Sequence, residues 1–503
     1  RERAEALAQP LVARSGPYPF RAPHFCDLVG VPAAVGPDAT VRTTLDGDLQ
    51  RRAEDVLRRH LADGPAGGGA VVVLEVRTGA VRALAGSPDY FAERRAGQVN
   101  GAVAPRAAGS TLKPFAYALA FDRGLATPAT TIPDVPLRFR DLDPRNFSEE
   151  CRGLVTARDA LVASLNLPAI EIERHVGQER LWETLRALGL GTIDQPAAHY
   201  GLGLVLGNAE VRLLDLANAY ACLARGGGWL PARFVETGQT PTPKVLFSPE
   251  ACWLVSDVLS GDERALDTTG HAADVRLPPM AWKTGTSAGL RDAWTVAWNP
   301  EYTIGVWVGN PDGAPAEGLV GREVAVPIAW DLFRQLYPDN AGPRFARPAG
   351  VEKRELCAVS GCAPGPHCAH RLEDWAIAQV TRREICPVHR QGPEDAWPAE
   401  VASFLARRAA PAPEEPAAVV RILAPARGSV YRWLPGLDAA AQRLALEAAS
   451  DRPGEAIHWF VDDRPVGRTR AGEPLFWPLA RGTHQIACGT ARGLGDRVEI
   501  AVE

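Results

Sequence analysis

Lysine, methionine and long apolar stretches are scarce in this sequence. The 503 residues include one methionine, Met280, and four lysines against 51 arginines. No uninterrupted apolar run approaches the roughly 20 residues that span a bilayer, so no transmembrane helix is predicted within the chain. The net charge is −5, from interspersed residues of both signs. This balance excludes nucleic acid and anionic lipid as expected main partners.

The scarcity of lysine makes each remaining lysine informative. Arginine supplies a positive charge as well as lysine does, but it does not lose its proton in proteins, whereas lysine can. Lys113 and Lys283 both lie in short motifs of catalytic residue types, and we interpret them as functional. Lys244 and Lys353 lie outside such motifs and need no functional explanation.

Composition and periodicity divide the chain into four parts. We predict a Pro-, Arg- and Ala-rich linker over 1–40, a globular domain over 41–345, a Cys/Pro-rich connecting segment over 346–418 and a C-terminal domain over 419–503. The globular part has strands at both sequence ends and helices between them, which predicts one mixed α/β (α+β) domain closed by its first and last strands. The evenly spaced short strands of the C-terminal part favour a small all-β, Ig-like sandwich.

Hydrophobic periodicity locates the main elements of the globular domain. The predicted strands are 70–76, 80–85, 280–284, 293–298 and 302–308. The predicted helices are 46–62, 111–123, 156–165, 178–188, 209–225 and 248–260.

The first motif is the stretch 109–114 (GSTLKP), which opens a predicted helix. Ser110 and Lys113 are three residues apart, so both side chains project from one helical face. A neutral lysine amine in a desolvated site can take the proton of a serine hydroxyl and so activate it as a nucleophile. The helix N-terminus adds free backbone N–H groups near developing negative charge. Ser-x-x-Lys alone also arises by chance, so it needs the support of other motifs.

The second motif is Ser164-Leu165-Asn166, predicted in a loop between a helix that ends near Ala163 and Pro168. A hydroxyl and an amide two residues apart in a loop can face one cleft. The pattern by itself is also that of an ordinary loop at a helix end, and its weight comes from its position between the other two motifs.

The third motif is Lys283-Thr284-Gly285-Thr286, at the end of a predicted strand. Its extended backbone allows a peptide substrate to pair as an added strand, and Gly285 allows that substrate to approach closely. Lys283 and the threonine hydroxyls are candidates to bind a carboxylate. On its own, the pattern is also that of a strand end with a glycine turn.

The three motifs follow one another in the order Ser-x-x-Lys, Ser-x-Asn, Lys-Thr-Gly, which penicillin-recognising enzymes combine. On these motifs the chain resembles the transpeptidase domain of class A penicillin-binding proteins, most closely of the 1C type. The stretches 43–50, 207–227 and 291–294 support the resemblance, which covers roughly 41–345. The C-terminal sandwich resembles the C-terminal domain of the same subgroup. The implied fold is that of penicillin-binding proteins and serine β-lactamases, an antiparallel sheet between layers of helices.

The resemblance implies a serine D,D-transpeptidase. Ser110 would attack the carbonyl of a D-Ala-D-Ala stem peptide, and Lys113 would accept its proton. Ser164 would relay a proton to the departing D-alanine amine. Asn166 would orient Lys113 and the substrate amide.

The same resemblance implies how substrates are held. Lys283, Thr284 and Thr286 would bind the terminal carboxylate, and the backbone N–H groups of Ser110 and Thr286 would form the oxyanion hole. An amine from a neighbouring stem peptide would then resolve the acyl-enzyme into a cross-link. β-Lactams would imitate the donor and leave a slow ester on Ser110. No cofactor is expected.

Alternative functions remain open at this point. A β-lactamase needs a base for its deacylating water, commonly in a Glu-x-x-x-Asn pattern that this chain lacks. The middle motif also has Leu165 where class A β-lactamases have Asp. A D,D-carboxypeptidase would share the acyl-enzyme and release it to water. A catalytically idle scaffold, whose sandwich and cysteine segment dock partner proteins, is disfavoured by the intact motifs without being excluded by them.

The resemblance also implies a longer parent protein at the periplasmic face of the bacterial inner membrane. We expect its membrane anchor and its glycosyltransferase domain to precede this chain, because a linker of forty residues cannot contain a polymerase domain. The expected partners are stem peptides, β-lactams and, through the C-terminal domain, other cell-wall synthesis proteins.

The connecting segment contains a cluster of cysteines and histidines. Its members are Cys357, Cys362, His367, Cys368, His370, Cys386 and His389. The Cys-x-x-His spacing of Cys386 and His389 is typical of zinc ligands. A zinc site formed by Cys357, Cys368, Cys386 and His389 is therefore the alternative to disulfides. The oxidising periplasm favours disulfides over zinc, and spacing does not assign their partners. The scattered cysteines are expected to be small buried thiols; they are Cys26, Cys151, Cys222, Cys252 and Cys488.

Overall fold

The computed structural model describes residues 21–29, 40–136, 144–147, 150–236, 238–260, 277–389, 399–409, 420–435, 438, 442–450, 454, 456–490 and 493–503. Most of the linker predicted over 1–40, and the end of the connecting segment around 410–418, lie outside these residues. The chain divides into two compact units, Arg1–Leu405 and Ala406–Glu503. The three boundaries between the four predicted parts remain predictions.

The strands and helices of the first unit are as follows. The strands are β1 (Gly68–Glu75), β2 (Val81–Ala85), β3 (Arg106–Ala107), β4 (Thr131–Asp134), β5 (Gly153–Thr156), β6 (Glu210–Val211), β7 (Gly228–Trp229), β8 (Lys244–Val245), β9 (Ala281–Thr286), β10 (Asp292–Trp298), β11 (Tyr302–Gly309), β12 (Val351–Cys357) and β13 (Arg371–Ile377). The α-helices are α1 (Pro23–Val29), α2 (Gly47–Leu61), α3 (Lys113–Asp122), α4 (Ala157–Val162), α5 (Asn166–Val176), α6 (Gln178–Ala187), α7 (Ala197–Tyr200), α8 (Leu213–Ala224), α9 (Pro249–Leu259), α10 (Gly321–Val324) and α11 (Val326–Leu336), with α12 (Ala399–Ala409) running across the boundary between the units. Short 3-10 helices cover Glu93–Arg95, Gly109–Leu112 and Gly201–Gly203. No helix in the described part of the chain has the length and apolarity to cross a bilayer.

A five-stranded antiparallel sheet in the order β2-β1-β11-β10-β9 forms the centre of the first unit. The apolar run of β1 is buried on both faces. Val71 and Val73 pack into one core, and Ala70, Val72 and Leu74 pack into the other, as the alternation of side chains along a strand requires. Because β1 pairs with β11, the first and last strands close the sheet, and the predicted α+β fold is confirmed.

Helices cover both faces of the sheet. On one face, α2 and α11 contribute apolar side chains to the core that contains Val71 and Val73. Asp46 caps α2 by accepting hydrogen bonds from two backbone N–H groups, both at 3.0 Å, as N-cap residues do. Buried Gln50 then fixes α2 to β2 by exchanging two hydrogen bonds with the backbone of Leu84. On the other face, α8 lies so close to β11 that a Cβ atom at Gly305 would be 2.9 Å from the Leu213 side chain.

The second unit is a small β-sandwich, as predicted. Its strands are β14 (Val420–Ala424), β15 (Val430–Tyr431), β16 (Arg443–Ser450), β17 (Ala456–Val461), β18 (Arg464–Arg470), β19 (Leu475–Pro478), β20 (Gly482–Thr490) and β21 (Gly493–Val502). They form sheets in the orders β14-β16-β19 and β15-β21-β20-β17-β18. Both sheets contribute to one core that contains the fully buried Trp459, whose indole N–H donates to Thr469 Oγ1 at 2.9 Å.

Candidate active site

Ser110 lies in the 3-10 turn Gly109–Leu112, which leads directly into α3 at Lys113. The predicted helix start is therefore correct, with a tighter first turn than expected. The turn lies against β9: Gly109 has a φ of 53°, and a Cβ atom added there would be 2.7 Å from the Thr286 carbonyl oxygen. Glycine is required at this position both for its backbone conformation and for this close contact.

Three hydrogen bonds fix the chain around the half-buried Ser110. Trp294 of β10 donates its indole N–H to the Ala107 carbonyl at 2.9 Å. Tyr220 of α8 donates its hydroxyl to the Thr111 carbonyl at 2.6 Å, and the Thr111 hydroxyl donates to the Ala108 carbonyl at 2.8 Å. The serine turn is thus held between the sheet and α8, and held side chains are a requirement of a precise catalytic site.

Lys113 is completely buried, and its Nζ is surrounded by oxygen atoms of the second motif. It donates to the Ser164 carbonyl at 2.5 Å and to Asn166 Oδ1 at 2.7 Å, and it lies 3.5 Å from Ser164 Oγ. Burial lowers the pKa of Lys113 to about 7, because desolvation disfavours the charged ammonium. The free amine of Lys113 is therefore accessible near neutral pH.

The conformation of Ser164 brings its oxygen atoms to Lys113. The Ser164 N–H bonds the Leu161 carbonyl and the Leu165 N–H bonds the Ala160 carbonyl, which is the Schellman pattern of a helix C-terminus. The residue at this position adopts the left-handed region, and Ser164 has a φ of 57°. Glycine is the usual residue there because other residues are strained. A serine at this position suggests that its hydroxyl has a use.

Asn166 is the first residue of α5 and does not lie in a loop as predicted. The expectation that the loop extends to Pro168 is wrong. Proline is tolerated in the first turn of a helix, where the backbone N–H groups have no intrahelical acceptor. The Asn166 side chain is fixed by a second bond, from its Nδ2 to the Arg145 carbonyl at 2.6 Å.

A second layer of polar residues, which sequence reasoning missed, holds Asn166. Asn146 Oδ1 accepts the Asn166 backbone N–H at 2.8 Å. Asn146 Nδ2 in turn donates to the buried carboxylate of Asp134, on β4, at 2.8 Å. No local motif identifies Asn146 or Asp134, because each acts through partners 12 to 20 residues away in the chain.

Lys283 of the third motif is also completely buried and meets the same serine. Its Nζ donates to Ser164 Oγ at 2.7 Å and to the Thr284 carbonyl at 2.8 Å. The three motifs therefore converge, with the Ser164 hydroxyl within reach of both lysine amines. The order of the motifs in the sequence suggested this convergence, and the folded chain shows it.

Strand β9 is the last strand of the sheet, so within the described residues its outer edge pairs with no other strand. Gly285 packs against the serine turn: a Cβ atom there would be 2.7 Å from Thr111 Cγ2 and 2.8 Å from the Ala108 carbonyl oxygen. The glycine is thus required for internal packing, and its expected role in substrate approach stays a prediction. Thr284 and Thr286 are half-buried, and Thr286 Oγ1 accepts the Gly321 N–H at 3.1 Å.

The cysteines differ from expectation. All nine lie in described residues, and none of them forms a disulfide, so the preference for disulfides is not met. Four residues of the connecting segment instead bring their ligand atoms together; they are Cys357, Cys368, Cys386 and His389. Of the scattered cysteines, Cys222, Cys252 and Cys488 are buried as expected, whereas Cys26 is exposed and Cys151 is half-buried.

Comparison with known sequences agrees with these motifs. The family model described as the penicillin binding protein transpeptidase domain matches residues 69–330, and the Penicillin-Binding Protein C-terminus Family matches residues 411–500. The chain is 35% identical over 342 residues to penicillin-binding protein 1C of Escherichia coli K12, an alignment of 67% of this chain and 44% of that protein. It is 30% identical over 310 residues to penicillin-binding protein 1A of Neisseria meningitidis serogroup A, covering 56% of this chain and 37% of that protein. The chain thus spans less than half the length of these relatives.

The fold is also found among solved structures. The PonA1 protein from Mycobacterium tuberculosis, in complex with penicillin V, aligns with a TM-score of 0.54 and 24% sequence identity. The alignment covers 62% of this chain and 89% of that one. At this level of identity the likeness establishes a common fold.

Proposed function

This chain belongs to the penicillin-binding protein transpeptidase family of peptidoglycan-synthesising enzymes, and we propose that it is a D,D-transpeptidase that forms an acyl-enzyme at Ser110. The observation that carries the proposal is the environment of Lys113. Lys113 is the first residue of the helix that follows Ser110. Its side chain is completely buried, and its amine donates hydrogen bonds to Ser164 and Asn166. Such an amine has the burial and the lowered pKa that a general base for the serine needs.

In its neutral form, Lys113 can keep its two short hydrogen bonds and still accept a proton. A neutral amine has two hydrogens and one lone pair. The Ser164 carbonyl and Asn166 Oδ1 accept the two hydrogens, at 2.5 and 2.7 Å. The lone pair remains available for the Ser110 hydroxyl proton, so that Ser110 Oγ attacks the donor carbonyl while Lys113 becomes an ammonium ion.

Ser164 is the proposed proton relay to the leaving D-alanine amine. Its oxygen accepts a hydrogen bond from Lys283 Nζ at 2.7 Å, so its own proton is directed to another acceptor. The amine expelled from the tetrahedral intermediate is such an acceptor. The Lys113 ammonium, 3.5 Å from Ser164 Oγ, can replace the proton that the relay gives away.

The edge of β9 is the proposed binding site of the donor peptide. An open strand edge accepts a peptide through backbone hydrogen bonds, and Thr284 and Thr286 are half-buried at this edge. Lys283 supplies positive charge for the terminal carboxylate. The backbone N–H groups of Ser110 and Thr286 are the proposed oxyanion hole, since fixed donors of this kind stabilise the developing charge.

The substrates and the setting of the parent protein belong to the same proposal. The donor is a D-Ala-D-Ala stem peptide, the acceptor is the amine of a neighbouring stem, and a β-lactam takes the place of the donor, as penicillin V is bound by the structurally similar PonA1. We place the parent at the periplasmic face of the inner membrane. The C-terminal sandwich is the proposed docking domain for other cell-wall synthesis proteins.

Intact-mass spectrometry after incubation with a penicillin tests the proposal. We expect one added β-lactam per chain in the wild type and none in Ser110→Ala, with the ester persisting for many minutes. An unlabelled wild type would support the scaffold, and rapid hydrolysis would support a β-lactamase. A D-Ala-D-Ala peptide offered with a D-amino acid then separates transpeptidation from carboxypeptidase activity, because only transpeptidation incorporates the added amine.

A further inference from the structure

Four buried side chains of the connecting segment meet at one point. Cys357 ends β12, Cys368 precedes β13, and Cys386 and His389 follow β13. All four are buried, and their ligand atoms lie within 4.8 Å of one another. None of them belongs to the three motifs of the active site.

The geometry is not that of ordinary hydrogen bonds. His389 Nδ1 lies 3.5 Å from Cys357 Sγ, 3.5 Å from Cys368 Sγ and 3.4 Å from Cys386 Sγ. A ring nitrogen has either one hydrogen or one lone pair, so it cannot bond three thiols at once. Three sulfur atoms at nearly equal distances from one nitrogen instead indicate a common centre between the four atoms.

We propose that Cys357, Cys368, Cys386 and His389 bind one zinc ion in a closed structural site. Zinc binds thiolate sulfur at about 2.3 Å and imidazole nitrogen at about 2.0–2.1 Å in tetrahedral geometry, and these lengths put sulfur and nitrogen about 3.5 Å apart. The observed distances agree with this value. Three thiolates and an imidazole are a set that zinc favours, and four protein ligands leave no position for a substrate.

The surrounding backbone supports a thiolate site. The Gly365 N–H donates to Cys368 Sγ at 3.3 Å, a contact that orients and stabilises a ligating sulfur. Gly361 donates its N–H to the Cys357 carbonyl at 2.8 Å, which closes the turn after the first ligand. The Cys386 N–H bonds the Ala363 carbonyl at 2.8 Å and so brings the last two ligands to that turn.

The zinc site would stabilise β4, the strand that helps to position Asn166. The turn after Cys357 packs on β4: the Thr131 hydroxyl donates to the Val359 carbonyl at 2.6 Å, and a Cβ atom at Gly361 would be 2.2 Å from the Ala129 carbonyl oxygen. Strand β4 also carries Asp134, which binds the residue that holds Asn166. Loss of the zinc ion would therefore weaken the hydrogen bonds through which Asp134 and Asn146 hold Asn166.

Metal analysis of the full chain, produced with zinc in the medium and purified without chelators, tests the site. We expect inductively coupled plasma mass spectrometry to find one zinc per chain. All nine cysteines should be present as thiols or thiolates. Cobalt substituted into the wild-type protein is expected to give the intense ligand-field bands of tetrahedral thiolate coordination. This second measurement does not depend on the folding of any variant.

Matched serine variants identify the ligands. Cys386→Ser and Cys357→Ser are expected to lower the zinc content well below one per chain and to lower the melting temperature. Cys362→Ser is the control, because its sulfur is hydrogen-bonded to the Ser360 carbonyl and is not among the four ligands, so it should keep one zinc. A wild-type chain with little zinc, with a different metal, or with disulfides among Cys357, Cys368 and Cys386 in a non-reduced peptide map would overturn the proposal. Acylation at Ser110 in a zinc-free chain would leave the proposed function intact.

Discussion

The amines of Lys113 and Lys283 both lie within reach of the Ser164 hydroxyl, at 3.5 and 2.7 Å. Two buried ammonium ions so close to one oxygen repel each other, and the neutral form of one of them relieves the repulsion. Burial lowers the pKa of Lys113 to about 7, which agrees with its proposed role as the proton acceptor. The proposed division of roles follows: Lys113 moves protons and Lys283 binds the carboxylate.

The first prediction concerns the pH dependence of acylation. In the proposed mechanism the neutral form of Lys113 is the active base, and protonation removes it below a pKa of about 7. The second-order rate constant for acylation by a fluorescent penicillin should therefore fall about tenfold per pH unit below pH 7 and level off above it. Stopped-flow measurements between pH 5.5 and 9 check this. A rate constant independent of pH across that range would refute the assignment of the base.

The second prediction compares two substitutions of Ser164. Its left-handed backbone strains any residue with a Cβ atom, so Ser164→Gly should be more stable than Ser164→Ala by about 1 kcal/mol. Both lose the relay hydroxyl, and both should acylate and transfer much more slowly than the wild type. Urea unfolding and acylation rates measure the two effects separately. Full activity in Ser164→Gly would show that the hydroxyl has no part in proton transfer.

The third prediction treats Asn146 as a positioning residue that acts through Asn166. Asn146→Ala removes the acceptor of the Asn166 N–H, and we expect the acylation rate to fall by up to about 10²-fold, the loss that a misplacement of about 1 Å can cause. Because Asn166 Oδ1 accepts a hydrogen bond from Lys113 Nζ and so stabilises its ammonium form, the midpoint of the pH profile should also move to lower pH. A purely structural role would leave that midpoint unchanged.

Asn310→Ala is a matched control for this experiment. Asn310 also joins two backbone segments, with hydrogen bonds to the Gly67 N–H and the Ala314 carbonyl, but it belongs to none of the three motifs. It should lower stability without moving the midpoint of the pH profile. Equal shifts in both variants would contradict a specific role for Asn146.

The fourth prediction concerns Glu173, a completely buried residue of α5. Burial raises the pKa of Glu173 to about 8, against the opposing effect of the Val205 N–H. The folded state then keeps a proton that the unfolded chain releases above pH 4.5, so the free energy of unfolding falls as the pH rises from about 4.5 to 8. Glu173→Gln should remove much of this pH dependence. The free energy of unfolding of the variant, measured relative to the wild type, should be higher at pH 8 than at pH 5 by on the order of 2 kcal/mol. Urea unfolding at the two pH values measures it. The exposed Glu179→Gln is the control, and an equal pH dependence in both variants would contradict the prediction.

Sequence patterns predicted those helices and strands that depend only on a few neighbouring residues. The apolar run of β1, the helix start after Ser110 and the strand that bears Lys283 each follow from a few consecutive residues. Helix α5 was missed because Pro168 looks like the end of a loop, although a first turn tolerates it.

The parts of the site that depend on distant contacts could not be predicted. Asp134 and Asn146 belong to no motif, and only the folded chain shows that they hold Asn166. The packing role of Gly285 likewise depends on the serine turn, more than 170 residues earlier in the sequence. For the cysteines, an argument from the cellular compartment favoured disulfides, whereas the structure brings three sulfurs to one histidine nitrogen.

The exchange of Lys113 for arginine tests the central claim most directly. Arginine keeps the positive charge and cannot act as a base. Lys113→Arg should therefore lose acylation by a penicillin about 10²- to 10⁴-fold, while the exposed Lys244→Arg should acylate at the wild-type rate, with the melting temperature of each variant measured alongside. Acylation of a folded Lys113→Arg at the wild-type rate would contradict the account.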